Sequence, residues 1–578
     1  MDKEFDVIVV GSGAGGLVAA ARAAELGLST LVIEKARFYG GTSATSGGGL
    51  WIPCHGIDGA EDSRADAETY LAAVCKGEFR QDRVSAYLDN GPETVRFIEQ
   101  IGVKMEVIPI PDYFVPLPGS KYNRCLMPAD VDGESLGDDI HSLREQPFAF
   151  KLFNRYSLNL AQASTLTNRP AGWQWTAAKI FAKFWLDRPW RKKTHRDRRL
   201  TMGNALIGGL RRALRAHNVP VMLDTALTGL STENGRVTGI EAKRNGKPIA
   251  IRARQGVILA AGGFEQNQAM REQHLPVWSD ARWSLTPKGG NTGDAVSAGT
   301  AIGAATELMA CNWWAPSTQM PSREDPNVEI THQMFFDHRH PFSLCVNRLG
   351  KRFLNESCSY DCFGMAMIAD QQATGANTPC WMIFDANYRK RYSAGALMPL
   401  AAMSDKAVPS NWWDNYLFRA DSIAALAEKI DLDPQVLRET VAKFNGYAKA
   451  GVDPEFGRGA GPYDQAFGDQ AVKPNPSMGP VEVGPFYAIR IDLGDLGSKG
   501  GLKADPSARV MRADGSTIDG LYAVGNSAGA PFGDCYPGAG GTLGPATVFG
   551  FVAANDIARQ ARRNEAGEGA ARSVERAS

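Results

Sequence analysis

A glycine-rich turn between two apolar runs, near the start of the chain, is the feature that most constrains the fold. The apolar run Val7–Val10 is followed by Gly11, Gly13 and Gly16, and then by an alanine-rich segment that predicts a helix from about residue 17. A second apolar run then ends at Glu34. A helix that starts at such a turn directs its free amide groups and the positive end of its dipole at the turn. The order strand, turn, helix, strand and acidic residue therefore predicts a Rossmann-like dinucleotide-binding unit.

Each of the three glycines of this turn, and the acidic residue that follows, has a physical role in binding a dinucleotide. Gly11 makes the tight turn, Gly13 lets the backbone approach a pyrophosphate, and Gly16 lets the helix pack closely on the strand. Glu34 lies about 20 residues beyond the glycines, where a carboxylate accepts hydrogen bonds from an adenosine ribose. A glycine motif alone also occurs at ordinary turns, but the complete order of elements favours the dinucleotide.

A second glycine cluster separates FAD from NAD as the predicted cofactor. Residues 40–49 read Gly-Gly-Thr-Ser-Ala-Thr-Ser-Gly-Gly-Gly, soon after Glu34. An NAD domain does not need this cluster, whereas the ribityl chain and isoalloxazine ring of FAD need small, hydrogen-bonding residues there. We therefore predict FAD as the cofactor. The residues predicted to bind it are Gly11, Ser12, Gly13, Ala14, Gly15, Gly16, Glu34, Lys35, Gly41, Thr42, Ser43, Gly48, Ala261, Gly262, Asp294, Gly525, Asn526, Gly541 and Leu543.

Composition excludes several other classes of protein. The 578 residues suffice for two or three domains, and 63 basic residues balance 63 acidic ones, so no net charge attracts nucleic acid. The nine cysteines form no Cys-x-x-Cys pair, and the eight histidines show no metal-ligand spacing beyond His338 and His340, so we predict no metal. The sequence shows no signal peptide and no apolar run long enough to span a membrane. A cytoplasmic protein is expected.

Apolar strands from both ends of the chain predict one composite domain with an insert. Residues 220–223, 256–263 and 521–526 each read as strands of a nucleotide-binding sheet. The region between the last two is rich in Trp, Phe, Pro and Met. We predict an α/β fold with an α+β insert, in which 1–310 and 485–578 form the FAD-binding domain and 311–484 the catalytic domain. Cofactor and substrate would meet at the interface of the two domains.

The segment 165–200 departs from this pattern because aromatic and basic residues alternate in it. Residues 173–199 contain Trp173, Trp175, Trp185 and Trp190, and residues 179–199 carry nine basic residues against two acidic ones. Helical spacing of the apolar residues is typical of an amphipathic helix at a membrane surface. A core-facing helix followed by a solvated basic loop explains the pattern equally well. Peripheral attachment to the inner face of the membrane is one expectation.

A second glycine-rich loop lies near the C-terminus and contains a tyrosine. Residues 533–546 carry five glycines in addition to Tyr536, and a helix is predicted from about Thr547. The glycines bring backbone close to a flat group, and the start of the helix supplies free amide donors for a flavin carbonyl or an anion. The apolar residues Trp313, Trp314, Phe335 and Phe336 either wall a pocket or pack in the core.

With these motifs in place, the chain resembles the 3-ketosteroid Δ1-dehydrogenases of the fumarate reductase flavoprotein superfamily over nearly its whole length. Four segments carry the resemblance: the first fingerprint with residues 40–43, then residues 111–114, 353–364 and 536–540. The first is shared by many flavoproteins, and the other three are more specific. The functional positions of that family fall on Tyr113, Tyr360, Tyr536 and Gly540.

This resemblance implies a mechanism for 1,2-dehydrogenation of a 3-ketosteroid. Tyr536 and the Gly540 amide would polarise the C3 carbonyl as an oxyanion hole does, which makes the C2 proton acidic. Tyr360, assisted by Tyr113, would remove that proton, and FAD would accept the C1 hydride at N5. A tyrosine with its ordinary pKa of about 10 is a poor base at neutral pH, so the surroundings must favour the phenolate. A quinone-type or other acceptor would reoxidise the flavin.

Three other functions are less favoured by the sequence. A related flavin desaturase could act on the C4–C5 bond of a 5α-steroid or on a smaller cyclic ketone. A reductase of the fumarate type would need converging Arg and His residues for a dicarboxylate, whereas the C-terminal loop offers Tyr536. A flavin-containing lipid-binding protein without turnover would account for the aromatic and basic segment.

Overall fold

The computed structural model describes residues 4–76, 79–168, 172–322, 325 and 328–577. Its largest sheet has eight strands in the described chain. Five of these run parallel, in the order Val221–Met222, Thr30–Ile33, Glu4–Val10, Lys247–Leu259 and Thr517–Ala523. The predicted strands at 220–223, 256–263 and 521–526 are therefore confirmed as members of one sheet drawn from distant parts of the chain. Antiparallel strands extend it at Thr225–Glu233, Arg236–Arg244 and Arg509–Met511.

Two helices pack on this sheet, and a third packs on the helix that follows the first glycine turn. The helix Ala14–Glu25 packs against Met202–Ala216 and against the long C-terminal helix Leu543–Ala577. The backbones of the first helix and the C-terminal helix approach so closely that a Cβ atom on Gly550 would lie 2.3 Å from the carbonyl oxygen of Gly15. The C-terminal helix begins at Leu543, earlier than the predicted position 547. Its first turn therefore includes Leu543, a predicted cofactor-binding residue.

A second sheet of six strands forms the other half of the molecule. Its order is Glu329–Gln333, Asn312–Pro321, Phe486–Ser498, Cys380–Phe384 and Ser343–Val346, with Leu417–Ala420 also paired to Phe486–Ser498. The strand Phe486–Ser498 thus lies at the centre of this sheet, although residues 485–578 were predicted to belong wholly to the FAD-binding domain. It pairs only with strands of the insert among the described residues, so we propose a domain border after Ser498.

The helices of the second half surround this sheet. They are Tyr360–Thr374, Ala386–Arg391, Ile423–Lys429, Pro434–Ala450 and Pro462–Ala466. The helix Tyr360–Thr374 begins at the cap residue Ser359, whose hydroxyl accepts a hydrogen bond from the Cys362 N–H. This cap places Tyr360 at the first position of the helix, at the boundary between the two halves.

The remaining elements complete the first half. The helices are Gly41–Ala44, Arg64–Val74, Gln81–Gln100, Leu160–Asn168, Trp173–Leu186, Arg188–Lys193, Gln268–His274 and Asp294–Ala301. Strands Leu50–Trp51, Cys125–Pro128 and Met105–Ile108 form a small sheet. Three two-stranded pairs are Val131–Asp132 with Arg199–Leu200, Lys151–Leu152 with Tyr156–Ser157, and Thr306–Glu307 with Gly501–Leu502.

No helix in the described ranges combines the length and hydropathy that a membrane span requires. Within the same ranges, His, Cys, Asp and Glu side chains form no group of three that could hold a metal ion.

Candidate active site

The first glycine turn has the geometry that a pyrophosphate needs. Gly11 has a φ of +107°, and a Cβ atom there would lie 2.3 Å from the Ala260 carbonyl oxygen. A Cβ atom on Gly16 would lie 2.2 Å from the Gly11 carbonyl oxygen. At Gly13 a Cβ atom would meet only the Ser43 hydroxyl, at 3.4 Å, so this position opens onto free space. Gly11 and Gly16 are therefore required by packing, whereas Gly13 leaves the backbone accessible.

Glu34 orders the turn through hydrogen bonds to Ser12. One carboxylate oxygen accepts from the Ser12 N–H at 3.2 Å and from its hydroxyl at 2.6 Å, and the other accepts from the Ala36 N–H at 2.9 Å. The Ser12 hydroxyl in turn accepts from the Gly40 N–H at 2.9 Å. The carboxylate thus joins the two glycine clusters, and its predicted contact with a ribose stays a prediction.

The second glycine cluster packs directly over the first. The Ser43 hydroxyl accepts a hydrogen bond from the Ala14 N–H at 3.0 Å, and Thr42 accepts one from the Asn291 amide at 2.8 Å. Gly48 has a φ of +74° and leaves no room for a side chain beside Met202. The predicted residues 11–16 and 41–48 therefore lie together in space.

Two further predicted cofactor residues, distant in sequence, form an ion pair. The Lys35 ammonium lies 2.9 Å from the Asp294 carboxylate and donates to the Thr292 hydroxyl at 2.6 Å. Lys35 immediately follows Glu34, so this pair lies just beyond the carboxyl end of the strand Thr30–Ile33, beside the residue predicted to bind the adenosine ribose.

Unpaired backbone N–H groups in the two glycine clusters decide whether these residues fit FAD. Among the described residues, the N–H groups of Gly13, Gly15 and Thr42 have no hydrogen-bond acceptor in the protein. They lie at the starts of the helices Ala14–Glu25 and Gly41–Ala44, where unpaired amide donors favour an anion. The two glycine clusters therefore fit the pyrophosphate of FAD.

A small cleft is lined by predicted cofactor residues together with two side chains that contact Tyr536. Gly525 and Asn526, which were predicted to bind cofactor, line it together with Trp313 and Thr542. The indole N–H of Trp313 donates to the Asn526 side-chain oxygen at 3.3 Å. Near this cleft, the Ser527 hydroxyl donates to the Gly262 carbonyl, next to Ala261. The residues Gly541 and Leu543 lie where the glycine loop enters the C-terminal helix.

The three predicted catalytic tyrosines meet in one buried cluster. The ring centroids of Tyr113 and Tyr360 are 5.7 Å apart, those of Tyr113 and Tyr536 are 5.3 Å apart, and those of Tyr360 and Tyr536 are 5.5 Å apart. All three pairs pack edge to face, a favourable arrangement for aromatic rings. Three segments that are widely separated in sequence thus converge on one site.

The hydrogen bonds at Tyr536 leave its own proton available. Its hydroxyl oxygen accepts from the Tyr360 hydroxyl at 2.8 Å and from the Thr542 hydroxyl at 3.2 Å. Both lone pairs of the Tyr536 oxygen are used in this way, so the hydroxyl can form a further hydrogen bond only by donating its proton. No acceptor for this proton is present among the described residues, so the O–H is available to donate to a ligand.

Gly540 supplies a second donor close to Tyr536. It has a φ of +97°, and a Cβ atom there would lie 2.6 Å from the Trp51 nitrogen. The Gly540 carbonyl accepts from the Trp51 N–H at 3.1 Å, whereas its own N–H has no acceptor in the part of the chain that the structure describes. Only glycine fits this close approach.

The loop that carries Tyr113 is anchored to the loop of Tyr536. The Tyr113 N–H donates to the Pro537 carbonyl at 3.1 Å, and the Tyr70 hydroxyl donates to the same carbonyl at 2.5 Å. Asp112 accepts from the Trp51 indole at 2.7 Å and pairs with Arg124 at 2.9 Å. The tyrosines are therefore held by backbone and buried polar contacts.

Burial sets the protonation of the tyrosines. Loss of solvent raises the pKa of Tyr113 and of Tyr360 well above the ordinary value, and also raises the pKa of Tyr536. A hydrogen bond from Tyr113 acts in the opposite direction on Tyr360 and favours its phenolate. Burial thus favours the neutral form of Tyr536. For Tyr360, the hydrogen bond with Tyr536 raises the pKa further, and the one from Tyr113 lowers it.

The aromatic residues proposed as pocket walls divide between the site and the core. Trp313 packs edge to face on Tyr536 at 4.8 Å, and Phe335 stacks on Tyr360 at 4.8 Å. Phe336 is exposed, whereas Trp314 is buried in the core of the second half. The pocket-wall prediction therefore fits Trp313 and Phe335, and the core alternative fits Trp314.

Sequence reasoning did not find three residues of this site. Tyr463 packs on the Tyr113 ring at 5.5 Å, Thr542 binds Tyr536, and Lys499 lies 5.1 Å from the centre of the Trp313 ring. Thr542 lies within the glycine loop and could have been identified there. Tyr463 and Lys499 reach the site only through long-range contacts and carry no local signal.

The aromatic and basic segment is only partly buried. Ile180, Phe184 and Trp190 are buried, and the Trp185 indole donates to the Tyr156 hydroxyl at 2.9 Å. Trp175, Trp185 and Leu186 nevertheless expose 73%, 54% and 77% of their surface. The helix Trp173–Leu186 therefore has a packed side and an exposed apolar side, so each alternative drawn from the sequence describes one side.

Comparisons with known proteins first define the class. The family model described as an FAD binding domain matches residues 6–543. The chain therefore belongs to the FAD-binding flavoproteins, and the predicted cofactor is FAD.

More similar proteins define the family within that class. The 3-oxosteroid 1-dehydrogenase of Mycolicibacterium smegmatis is 40% identical over 98% of this chain and 99% of that protein. The crystal structure of 3-ketosteroid Δ1-dehydrogenase from Sterolibacterium denitrificans, in complex with 1,4-androstadiene-3,17-dione, has a TM-score of 0.92 and 42% identity, and it covers 96% of this chain and 100% of that chain. The chain is a member of the 3-oxosteroid 1-dehydrogenase family.

A third relative is named for a smaller cyclic ketone. The 4-oxocyclohex-2-ene-1-carboxylate 5-dehydrogenase of Sinomonas cyclohexanicum is 35% identical over 98% of this chain and 96% of that protein.

Proposed function

We propose that this chain catalyses the 1,2-dehydrogenation of 3-ketosteroids with FAD as cofactor, converting a 3-oxo-Δ4-steroid into the 3-oxo-Δ1,4-steroid. Membership of the 3-oxosteroid 1-dehydrogenase family supports the reaction. The observation that carries the residue roles is the pattern of hydrogen bonds at Tyr536, whose oxygen accepts from Tyr360 and Thr542 and leaves its proton for a ligand.

The donors at Tyr536 and Gly540 suit the C3 carbonyl of the substrate. Both belong to one glycine-rich loop, and both lack an acceptor among the described residues. Two donors on one carbonyl oxygen stabilise the negative charge that develops there when the neighbouring C2 proton leaves. Burial keeps Tyr536 protonated, which preserves its donor role.

Tyr360 is the proposed base for the C2 proton. Its oxygen lies 2.8 Å from that of Tyr536, so a carbonyl bound to Tyr536 would place the adjacent C2 atom close to Tyr360. The hydrogen bond from Tyr113 favours the phenolate of Tyr360, against the larger effect of burial. When bound, FAD supplies the acceptor for the two electrons released at C1.

The aromatic walls support a flat, apolar substrate. Trp313, Phe335 and Tyr463 each pack against one of the three tyrosines, and together they exclude water from the proposed proton transfer. A steroid nucleus offers complementary apolar surface. A quinone-type compound or another acceptor would then reoxidise the flavin.

A direct experiment tests the reaction and its regiochemistry. Purified protein is mixed without oxygen with androst-4-ene-3,17-dione, and the flavin absorbance and the position of the product double bond are recorded. Parallel mixing with cholest-4-en-3-one tests the side chain. Bleaching with a Δ1,4 product supports the proposal, whereas no bleaching with any ketosteroid would reject turnover and favour a lipid-binding role.

The same experiment separates the alternative substrates. A 5α-reduced 3-ketosteroid that gives a C4–C5 double bond would indicate the related desaturase reaction. Faster reduction by 4-oxocyclohexanecarboxylate would indicate the smaller ketone, an alternative supported by the relative named for a cyclic ketone.

We further propose that the segment 173–199 attaches the protein peripherally to the inner face of the membrane. Trp175, Trp185 and Leu186 are exposed, and Lys179, Lys183, Arg188 and Lys192 are exposed without a salt bridge in the described part of the chain. Exposed aromatic and apolar side chains beside free cations favour an anionic lipid surface. Four other basic residues of the segment form ion pairs with acidic side chains, namely Lys193, Arg196, Arg198 and Arg199.

A further inference from the structure

Lys499 is a buried cation that contacts both segments carrying the tyrosines at positions 360 and 536. It directly follows the strand Phe486–Ser498, and its side chain has no exposed surface. Its backbone N–H donates to the Cys311 carbonyl at 2.8 Å, and its carbonyl accepts from the Ala530 N–H at 2.9 Å. These bonds hold Lys499 between two neighbouring segments.

The ammonium group of Lys499 binds one carboxylate on each tyrosine-bearing segment. Its nitrogen lies 3.3 Å from a carboxylate oxygen of Asp361, which directly follows Tyr360 at the start of a helix. It lies 2.9 Å from the carboxylate of Asp534 and 3.2 Å from the Asp534 carbonyl, two residues before Tyr536. One cation therefore joins the start of the Tyr360 helix to the glycine loop.

Two tryptophans close this arrangement around the ammonium group. The nitrogen lies 5.1 Å from the centre of the Trp313 ring, whose edge-to-face partner is Tyr536 at 4.8 Å. The backbone N–H of Trp314 donates to the Asp361 carboxylate at 3.2 Å. A displacement of Lys499 would therefore move residues next to both partners of the 2.8 Å hydrogen bond between Tyr360 and Tyr536.

The charges of this cluster are maintained despite burial. Burial opposes the charged form of Lys499, but Asp361 and Asp534 raise its pKa above the ordinary value. Burial raises the pKa of Asp361 to about 6, and Lys499 opposes that increase. Apolar residues of similar volume often replace a buried ion pair without loss of stability, so stability alone does not require this cation.

We propose that Lys499 is a positioning residue for the dehydrogenation, which fixes the separation of Tyr360 and Tyr536 by binding Asp361 and Asp534 together. The inference rests on the proposed function, because it concerns the same two hydroxyl groups. It predicts that the cation acts on turnover rather than on substrate affinity. A displacement of about 1 Å between reacting groups costs up to about 100-fold in rate.

The first test compares Lys499→Met with the double variant Lys499→Met/Asp361→Asn. The single variant leaves a buried carboxylate without its cation, whereas the double variant removes that unpaired charge as well. We expect the double variant to recover thermal stability and flavin content, while kcat stays at least about tenfold below wild type with little change in KM. Recovery of kcat in the double variant would show that Lys499 only neutralises charge, and would overturn the proposal.

Asp534→Ala is the second variant and keeps the proposal falsifiable if the others do not fold. Asp534 is 39% exposed, so its removal disturbs the core little. It takes away the 2.9 Å contact of Lys499 with the glycine loop and leaves only the 3.2 Å contact with the Asp534 carbonyl. We expect a lower kcat at unchanged KM, and an unchanged kcat would overturn the proposal. The wild type is assayed alongside with androst-4-ene-3,17-dione. A wild type without turnover rejects the proposed function, whereas an active wild type with unaffected variants rejects only the positioning role.

Discussion

The Tyr360 hydroxyl donates a 2.8 Å hydrogen bond to the Tyr536 hydroxyl, so the two residues proposed as base and carbonyl donor are directly coupled. While Tyr360 is protonated, the Tyr536 oxygen accepts in this contact and the Tyr536 proton remains free. If the substrate carbonyl binds Tyr536 as proposed, the adjacent carbon would lie near Tyr360. The roles proposed for the two tyrosines both depend on this interaction.

Replacement of Tyr536 by Phe should abolish most turnover while FAD stays bound. The variant keeps the aromatic packing on Trp313 and Tyr113 but loses the proton aimed at the ligand. Removal of one donor from an oxyanion hole costs about 100- to 1,000-fold in kcat. Thr542→Val is the matched control, because it removes a hydrogen bond to Tyr536 but keeps the Tyr536 proton, and it should lose much less. A Phe variant that retains the wild-type rate would contradict the donor role.

The pH dependence of kcat should depend on Tyr113. Tyr360 acts as a base only when it is deprotonated, and burial raises its pKa, so kcat should rise with pH from neutral into the alkaline range. The Tyr113 hydrogen bond lowers that pKa. Tyr113→Phe should therefore raise the pKa of Tyr360 and move the rising limb to higher pH, by about one unit.

Tyr463→Phe provides the control for this pH shift. Tyr463 packs on the Tyr113 ring at 5.5 Å but is not a hydrogen-bond partner through which the pKa of Tyr360 is lowered. Its pH profile should not move to higher pH, because the charge effect of Tyr463 raises the pKa of Tyr360 instead of lowering it. An identical profile for the Tyr113 variant and the wild type would assign Tyr113 a packing role only.

The sequence was most informative where function depends on local backbone geometry. The glycine turn at residues 11–16 and the loop at 536–541 could be predicted because a tight turn or a close approach restricts the residue type at each position. The parallel strands were also predictable, since their apolar runs are continuous. These features led to the correct fold class and cofactor before any tertiary contact was known.

Long-range contacts account for what the sequence did not show. The strand Phe486–Ser498 resembles other apolar strands, and only its partners at 312–321 and 380–384 place it in the second sheet. Lys499 lies in an ordinary Ser-Lys-Gly stretch, and its contacts with residues 361 and 534 arise only on folding. Tyr463 likewise reaches Tyr113 only through tertiary packing.

The two glycines of the first turn should respond differently to substitution. A Cβ atom on Gly11 would lie 2.3 Å from the Ala260 carbonyl oxygen, so Gly11→Ala should destabilise the fold itself. At Gly13 the nearest contact would be 3.4 Å, so Gly13→Ala should fold with a thermal midpoint near that of the wild type. Its methyl group should obstruct the pyrophosphate and lower the flavin content. A fully flavin-loaded Gly13→Ala protein would contradict the phosphate-binding role of this turn.

Binding to anionic vesicles should depend on the exposed side of the helix Trp173–Leu186. Sedimentation with vesicles that contain phosphatidylserine should pull down the wild type, and higher salt should weaken the binding because free cations contribute to it. Trp175→Ala/Leu186→Ala should sediment less, since these side chains are exposed and contribute little to the core. Trp278→Ala is the matched control, because Trp278 is 57% exposed but lies outside the segment. A wild type that stays in the supernatant would exclude membrane attachment through this segment, and equal losses in both variants would show that any exposed tryptophan has the same effect.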